Sequence, residues 1–389
     1  MIWPNYNSGV LSVSTLVFCS MKIFRYVRYV ISTVIMLGAA PEFLLMWGIW
    51  KGLSIVLPAW IYQIGDDICY GTYQKLVLFF FNHCNGVKVY FYGDAQEAFK
   101  NKETVLYLGN HQSTVDWILT NMVAVEQGSI GHLRFVMKHE LQSIPLYGFY
   151  FHQHGCIYVK RGHFQPAKML QSLRYLRNPK IPSWVVIFPE GTRYNPDDGK
   201  RITKSREVAR DNSLEVLDYH LTPRSRGAWL VLNTMRERLE AIYDITVGYS
   251  GNECGKGSFD TDRNKVPQLK DFLLGRCKSV HIHVNRIPIS SVPADEEKFQ
   301  QWVHQMFIKK DKLMKQFYNS SEQEGSEALS WPNKQMQQVG FWHTLPSFLF
   351  FSAVSVAMLF TKIGRSIYLN TLVYGTFGGY IWLFISSVC

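Results

Sequence analysis

Asn110-His111-Gln112-Ser113-Thr114-Val115-Asp116-Trp117 places a histidine and a carboxylate five positions apart. A short β-type run, Thr104-Val105-Leu106-Tyr107-Leu108, precedes the block, and a helical run from Val115 to Val125 follows it. On one continuous helix, five steps of about 100° leave the two side chains on different faces. They can meet only if His111 lies in the turn and Asp116 in the first turn of the helix. The carboxylate then accepts from one ring nitrogen and the other stays free to take a proton, the arrangement of an oriented general base. Ser113-Thr114-Val115-Asp116 also has the S-x-x-D form of a capping box, which needs no chemistry at all.

Two more runs end in polar and cationic residues. Trp184-Val185-Val186-Ile187-Phe188 delivers Pro189-Glu190-Gly191-Thr192-Arg193, and Gly155-Cys156-Ile157-Tyr158-Val159 delivers Lys160-Arg161. Pro stops a strand ladder, Gly lets backbone approach a ligand, and Thr and Arg are donors suited to phosphate. In an open parallel sheet, ligands bind beyond the carboxyl ends of the strands. A phosphate held there by Arg161 and Arg193, near His111, is a coherent site, although each Arg alone fits an ordinary surface ion pair. Other chemistries have weaker signals. Cys156 could carry an acyl thioester, but it sits inside a β-run. His281 and His283 share a strand face without a third metal ligand nearby.

The elements that must position these residues alternate along the chain. Short apolar runs fall at 87–92, 104–109, 134–137, 156–160, 184–188, 243–249 and 280–286, with helical stretches at 114–126, 165–177, 206–217, 225–241 and 295–318. This order predicts an α/β domain with a mainly parallel sheet flanked by helices, over residues 65–318. Residues 1–64 read as an N-terminal tail and membrane anchor, with Tyr29–Trp50 interrupted by Pro41-Glu42. That interruption predicts a re-entrant anchor with both ends on one side of the membrane. Residues 319–340 read as a linker. In 341–389, Ile367–Ile385 is long enough to span, whereas Leu345–Phe360 is borderline and is expected to lie at the interface.

The formal net charge is +11, and residues 131–236 hold 17 Lys+Arg against 8 Asp+Glu. Such a field attracts phosphorylated metabolites or an anionic membrane surface. A nucleic-acid binder is disfavoured, because the sequence shows no aromatic–basic module and carries the membrane segments above. Seven cysteines, an odd number without C-x-x-C spacing, argue against a disulfide framework and against zinc.

Taken together, NHQSTVD, GCIYVKR and FPEGTR, in this order, resemble the 1-acyl-sn-glycerol-3-phosphate acyltransferases, glycerolipid acyltransferases with a His-x4-Asp motif. The resemblance runs from about Tyr29 to Phe384 and takes in LTPR, YDITVGY and HIHVNRI. It implies acyl transfer from acyl-CoA to the sn-2 hydroxyl of lysophosphatidic acid, with acyl-CoA as co-substrate and no cofactor or metal. His111 would be the base and Asp116 its orienting partner. Arg161, Glu190, Gly191, Thr192 and Arg193 would shape the acceptor phosphate site, and N–H groups after His111 would face the thioester oxyanion. It further implies an integral membrane protein of the endoplasmic reticulum, with the mitochondrial outer membrane or nuclear envelope as alternatives, and a catalytic domain facing the cytosol. Its partners would be membrane lipids, acyl-CoA and a lysophospholipid acceptor. The chain lacks the apolar-Pro-apolar-apolar-Pro block of many members; Leu221-Thr222-Pro223-Arg224 or Tyr243–Tyr249 would stand in. Another lysophospholipid as acceptor, such as lysocardiolipin or lysophosphatidylinositol, and a non-catalytic scaffold binding anionic lipid are the competing readings.

Overall fold

The computed structural model describes residues 13–160, 162, 164–251, 254–260, 263–321, 331–336 and 339–388. The apolar runs become strands: β1 (Lys88–Gly93), β2 (Val105–Gly109), β3 (Leu133–Lys138), β4 (Ile157–Val159), β5 (Trp184–Ile187), β6 (Ala241–Ser250) and β7 (Ser279–Pro288), with a two-residue β8 (Gln335–Met336). Their order in one sheet is β4-β3-β5-β2-β6-β7-β1-β8. From β4 to β6 all neighbours are parallel. β7 is antiparallel to β6 but parallel to β1, and β8 closes the edge antiparallel to β1. The expected α/β sheet is therefore present and mostly parallel, with β7 and β1 reversed as a pair.

The helices are α1 (Val13–Gly38), α2 (Ala40–Leu53), α3 (Ala59–Phe79), α4 (Ala95–Lys100), α5 (Asp116–Glu126), α6 (Tyr147–Gln153), α7 (Pro166–Leu176), α8 (Gly199–Asp211), α9 (Arg226–Met235), α10 (Leu269–Leu273), α11 (Glu296–Ser321), α12 (Phe341–Phe360) and α13 (Lys362–Val388). Two differ clearly from the periodicity. α8 starts at Gly199 because the Asp198 carboxylate accepts the Arg201 N–H, and it stops before Ser213, whose φ is 52°. α9 stops at Met235 because Ala241 is already paired with Val105 in the sheet. Within the expected linker, Trp331 is buried and Gln335-Met336 pair with β1, while 322–330 lie outside the described residues.

The central strands are buried on both faces, which is why they read as continuous apolar runs. Val105 and Tyr107 of β2 join the core under α3 and α5, while Leu106 and Leu108 join the core under α7, α9 and α11. α11 also brings one cation into this interior. Lys310 pairs with Asp244 of β6, and its ammonium donates to the carbonyls of Ile245 (2.5 Å) and Leu108 (3.2 Å). It thus fastens the middle of β6 to the end of β2 directly beneath the His111 turn.

Ser20–Leu53 and Phe341–Phe360 are long and apolar enough to cross a membrane. The second starts at Phe341 instead of Leu345, which turns a borderline segment into a 20-residue helix. α1 and α2 are separated only by Ala39, which keeps a helical φ of −75° and ψ of −7°. Pro41 stands in the first turn of α2, where its missing N–H costs no helical bond, so the long apolar segment is broken there into two helices. Arg28 of α1 sits against Gly275 of the sheet domain, where an added Cβ would meet its Nη2 at 2.7 Å. The basic turn of α1 therefore lies beside that domain, while Phe24, Ile31, Val34 and Leu37 are exposed.

Removing one member of a buried ion pair strands the other. Lys310→Met is expected to cost about 3–5 kcal/mol, and Lys310→Met combined with Asp244→Leu to recover most of that loss. Thermal unfolding of the purified variants in one detergent checks the order.

Candidate active site

A buried carboxylate gathers the site. Asp116, at the first position of α5, is 2 % exposed. Its Oδ2 lies 2.7 Å from His111 Nδ1 and accepts the backbone N–H groups of Gln112 (2.7 Å) and Ser113 (2.9 Å). Its Oδ1 accepts the hydroxyl of Tyr249, from the end of β6. Burial pushes the Tyr249 phenol well above its ordinary range, so it remains a donor. His111 is held on the turn after β2, with the Phe188 ring stacked 4.6 Å from its own. Among the described residues its Nε2 has no partner, and 22 % of the side chain reaches solvent. The spacing thus produces the contact it demanded. The capping-box reading is half right: Asp116 does return to the Ser113 N–H. The Ser113 hydroxyl, however, donates to Pro267 O and accepts from Val115 N–H, so it ties the turn to a distant loop instead of capping α5.

Neighbouring side chains hold that turn to the sheet. Asn110 exchanges bonds with the backbone of Val247, accepting its N–H at 2.8 Å and donating to its O at 3.1 Å. The Gln112 amide donates to Val247 O at 2.7 Å and accepts from the buried Arg263 at 2.5 Å. Glu190 works through backbone. Its two carboxylate oxygens accept the N–H of His111 (2.7 Å) and of Leu221 (2.9 Å). Burial pushes its carboxyl up to about 8, against the pull of those two donors. Tyr194 N–H in turn donates to His111 O at 2.8 Å, so Gly191-Thr192-Arg193 flanks the histidine. Gly191 takes φ +68°, which an L side chain rarely adopts. Both stand-in segments converge here. Leu221 bonds Glu190, the Arg224 side chain lies against Gly191, and Tyr249 bonds Asp116.

The cations form a rim. Arg193 is exposed and donates to Gln268 Oε1 at 2.9 Å, while Arg201 donates to the Thr192 hydroxyl at 3.1 Å. Arg161 lies outside the described residues. The strand preceding it, β4, is three places from β2 in the sheet, whereas β5, which delivers Arg193, is next to β2. The expectation about the oxyanion needs correction. The N–H groups of Gln112 and Ser113 are taken by Asp116, that of Thr114 by Gln268 and that of Val115 by Ser113. No donor after His111 is left facing a substrate until α5 begins.

Other centres are occupied or inert. Cys156 is buried and its thiol is pushed up to about 11 by that burial, which disfavours the thiolate. His281 spends both nitrogens, on Tyr92 at 2.8 Å and on Ser250 at 2.9 Å, so it is a core histidine. Asp66, Asp67 and His154 bring possible metal-ligand atoms within 4.8 Å of one another. Arg134 already supplies that cluster with a cation, at 2.6 Å from Asp67 and 2.7 Å from His154 Nε2.

Sequence reasoning gave no role to Tyr249, Arg263 or Gln268, all of which meet the turn from more than 100 residues away. Tyr249→Phe removes one donor from Asp116, strengthens its pull on the imidazolium and is expected to move the acidic limb of the pH–rate profile upward. Turnover should fall by about tenfold, the effect of one lost hydrogen bond to a charged group. A profile unchanged in shape would assign Tyr249 to packing alone.

Residues 91–250 match the family model described as Acyltransferase and residues 271–342 that described as Acyltransferase C-terminus. The chain is 42% identical over 362 residues to the 1-acyl-sn-glycerol-3-phosphate acyltransferase epsilon of Mus musculus, covering 92% of this chain and 97% of that protein. It is 28% identical to lysocardiolipin acyltransferase 1 of Gallus gallus, over 74% of this chain and 72% of that one. The crystal structure of the 1-acyl-sn-glycerophosphate acyltransferase PlsC from Thermotoga maritima superimposes with a TM-score of 0.44 at 13% identity, over 78% of this chain and 100% of that one. With the NHQSTVD and FPEGTR blocks folded around one histidine, the chain belongs to the 1-acyl-sn-glycerol-3-phosphate acyltransferase family.

Proposed function

We propose that the protein transfers a fatty acyl group from acyl-CoA to the sn-2 hydroxyl of lysophosphatidic acid, giving phosphatidic acid. The observation that carries this reading is the His111 ring, with Nδ1 held by Asp116 and Nε2 open beside a rim of arginines. His111 Nε2 takes the proton of the acceptor hydroxyl as its oxygen attacks the thioester carbonyl. The C–S bond then breaks, and the imidazolium returns the proton to the departing CoA thiolate. Asp116 orients the ring and stabilises its charged form, and Tyr249 positions Asp116. Arg193, with Arg161 and the Thr192 hydroxyl, receives the acceptor phosphate. Glu190 and Gly191 shape that pocket through the backbone. The N–H groups of Thr192 and Arg193, which have no acceptor among the described residues, are the donors left for the oxyanion.

The name of the murine relative supports this acceptor, and the net positive charge of residues 131–236 suits a phosphorylated one. Acyl-CoA is a cytosolic metabolite, so the domain over 65–318 faces the cytosol from a membrane of the endoplasmic reticulum. Arg28 beside Gly275 supports placing the basic turn of α1 on that same face.

His111→Ala is expected to lower turnover by about 10²–10⁴ at unchanged expression. With one acyl-CoA and a panel of lysophosphatidic acid, lysocardiolipin and lysophosphatidylinositol, lysophosphatidic acid should give the highest kcat/KM; a preference for another acceptor overturns the assignment. Arg193→Ala should raise the KM for lysophosphatidic acid more than that for acyl-CoA, with Lys a partial substitute because it lacks the two-pronged contact. Equal effects on both substrates would remove Arg193 from the acceptor site.

A further inference from the structure

A cavity of about 910 Å³ opens at the opposite end of α5 from His111. α5 has 11 residues, so at roughly 1.5 Å each its two ends lie about 16 Å apart. The volume falls within the range of roughly 300–1,000 Å³ that buries a small ligand. Met46 of α2, Lys75 of α3, Glu126 of α5, and Trp342, His343 and Phe350 of α12 line it. Lys75 is half-buried and its ammonium has no partner among the described residues, so it is free to pair with a ligand from outside the chain. His343 adds a second nitrogen-bearing side chain from the facing helix, and Lys102 lies at the edge, where an added Cβ on Gly128 would meet its Nζ at 3.7 Å. Glu126 is the one acid in the lining, and it has a partner of its own. The balance favours an anion.

The cavity is also apolar on one side, and that side continues onto a membrane helix. α12 is long and apolar enough to span, and little of it is buried within the protein. Trp342 in its first turn and Phe350 halfway along it are both exposed. An indole at the end of an apolar helix marks the headgroup level of a bilayer, and a lysine stem can carry its ammonium to the same level. A soluble anion would use Lys75 and leave the apolar wall wet. A lipid uses both.

We propose that this cavity is a non-catalytic binding site for an anionic glycerophospholipid of the surrounding bilayer, with its phosphate on Lys75 and His343 and one acyl chain along Phe350. The site is independent of which acceptor His111 serves. It makes the enzyme's occupancy by lipid depend on the charge of the membrane around it, at a place remote from the reacting atoms.

The test uses the full chain in nanodiscs of phosphatidylcholine with phosphatidylglycerol as the anionic probe. Lipid carried through mild detergent extraction is then read by native mass spectrometry. The wild type and Lys75→Arg should retain phosphatidylglycerol in preference to phosphatidylcholine. Lys75→Met should lower that retention by roughly fivefold, as expected for one surface cation against an anionic lipid. His343→Ala, on the exposed first turn of α12, should lower it too. Acyl transfer in pure phosphatidylcholine discs should be unchanged in all three variants, which shows that they fold. Equal retention of the two lipids, retention of phosphatidylglycerol unchanged in both Lys75→Met and His343→Ala, or displacement of the lipid by inorganic phosphate alone would overturn the proposal.

Discussion

A carboxylate withdrawn from water must be surrounded by donors, and at Asp116 this requirement organises the site. The four donors that meet it come from the His111 ring, the N–H groups of Gln112 and Ser113, and the hydroxyl of Tyr249. Three are local and follow from the turn. The fourth is delivered by β6, so the geometry of the base is coupled to the pairing of β2 with β6. The same carboxylate orients a histidine and closes the turn that holds it. The structural and chemical readings of this block are therefore one arrangement.

That coupling explains why so much polar structure lies beneath the turn. Asn110 and Gln112 both bond Val247, and Lys310 spans the carbonyls of Leu108 and Ile245. Glu190 joins His111 to Leu221, and Asp311 of α11 holds the preceding segment by accepting from Asp218 and Tyr219 N–H and pairing with His220. Each bond crosses from one element to another. Together they leave the imidazole little freedom except at Nε2, the atom a base must expose. The cost is a set of buried charges that must stay paired, and Lys310 with Asp244 is the clearest of these.

The apolar helices meet this domain on one side. α2 and α3 share a core with α5, and Phe351 of α12 belongs to the same cluster. Ser355 of α12 donates to Glu42 of α2 at 2.6 Å, and Tyr368 of α13 donates to Gly38 O at 2.9 Å. The segments at the two ends of the chain are thus packed together, although more than 300 residues separate them. Their outward faces stay apolar and exposed, which suits a lipid surface.

Much was legible in the residues alone. The strands were visible as apolar runs because parallel strands covered on both faces have no polar positions to alternate. The His111–Asp116 contact was legible because only a turn followed by a helix lets a five-residue spacing close. What distant segments supply was not. Tyr249, Arg263 and Gln268 look like ordinary strand and loop residues until the sheet brings them to the turn, since a tertiary contact has no period. Tertiary structure also closed the last open donor of that turn, for the N–H groups of Gln112, Ser113 and Val115 are consumed by the local Asp116 and Ser113 side chains, whereas that of Thr114 is taken by the distant Gln268. It decided that the first long apolar segment is broken at Ala39 into two helices and that Arg28 of the first lies beside Gly275. It placed Lys75 beside a cavity. The chemistry of the base was written into local spacing, whereas its support and its surroundings depend on strand order, which no local pattern encodes.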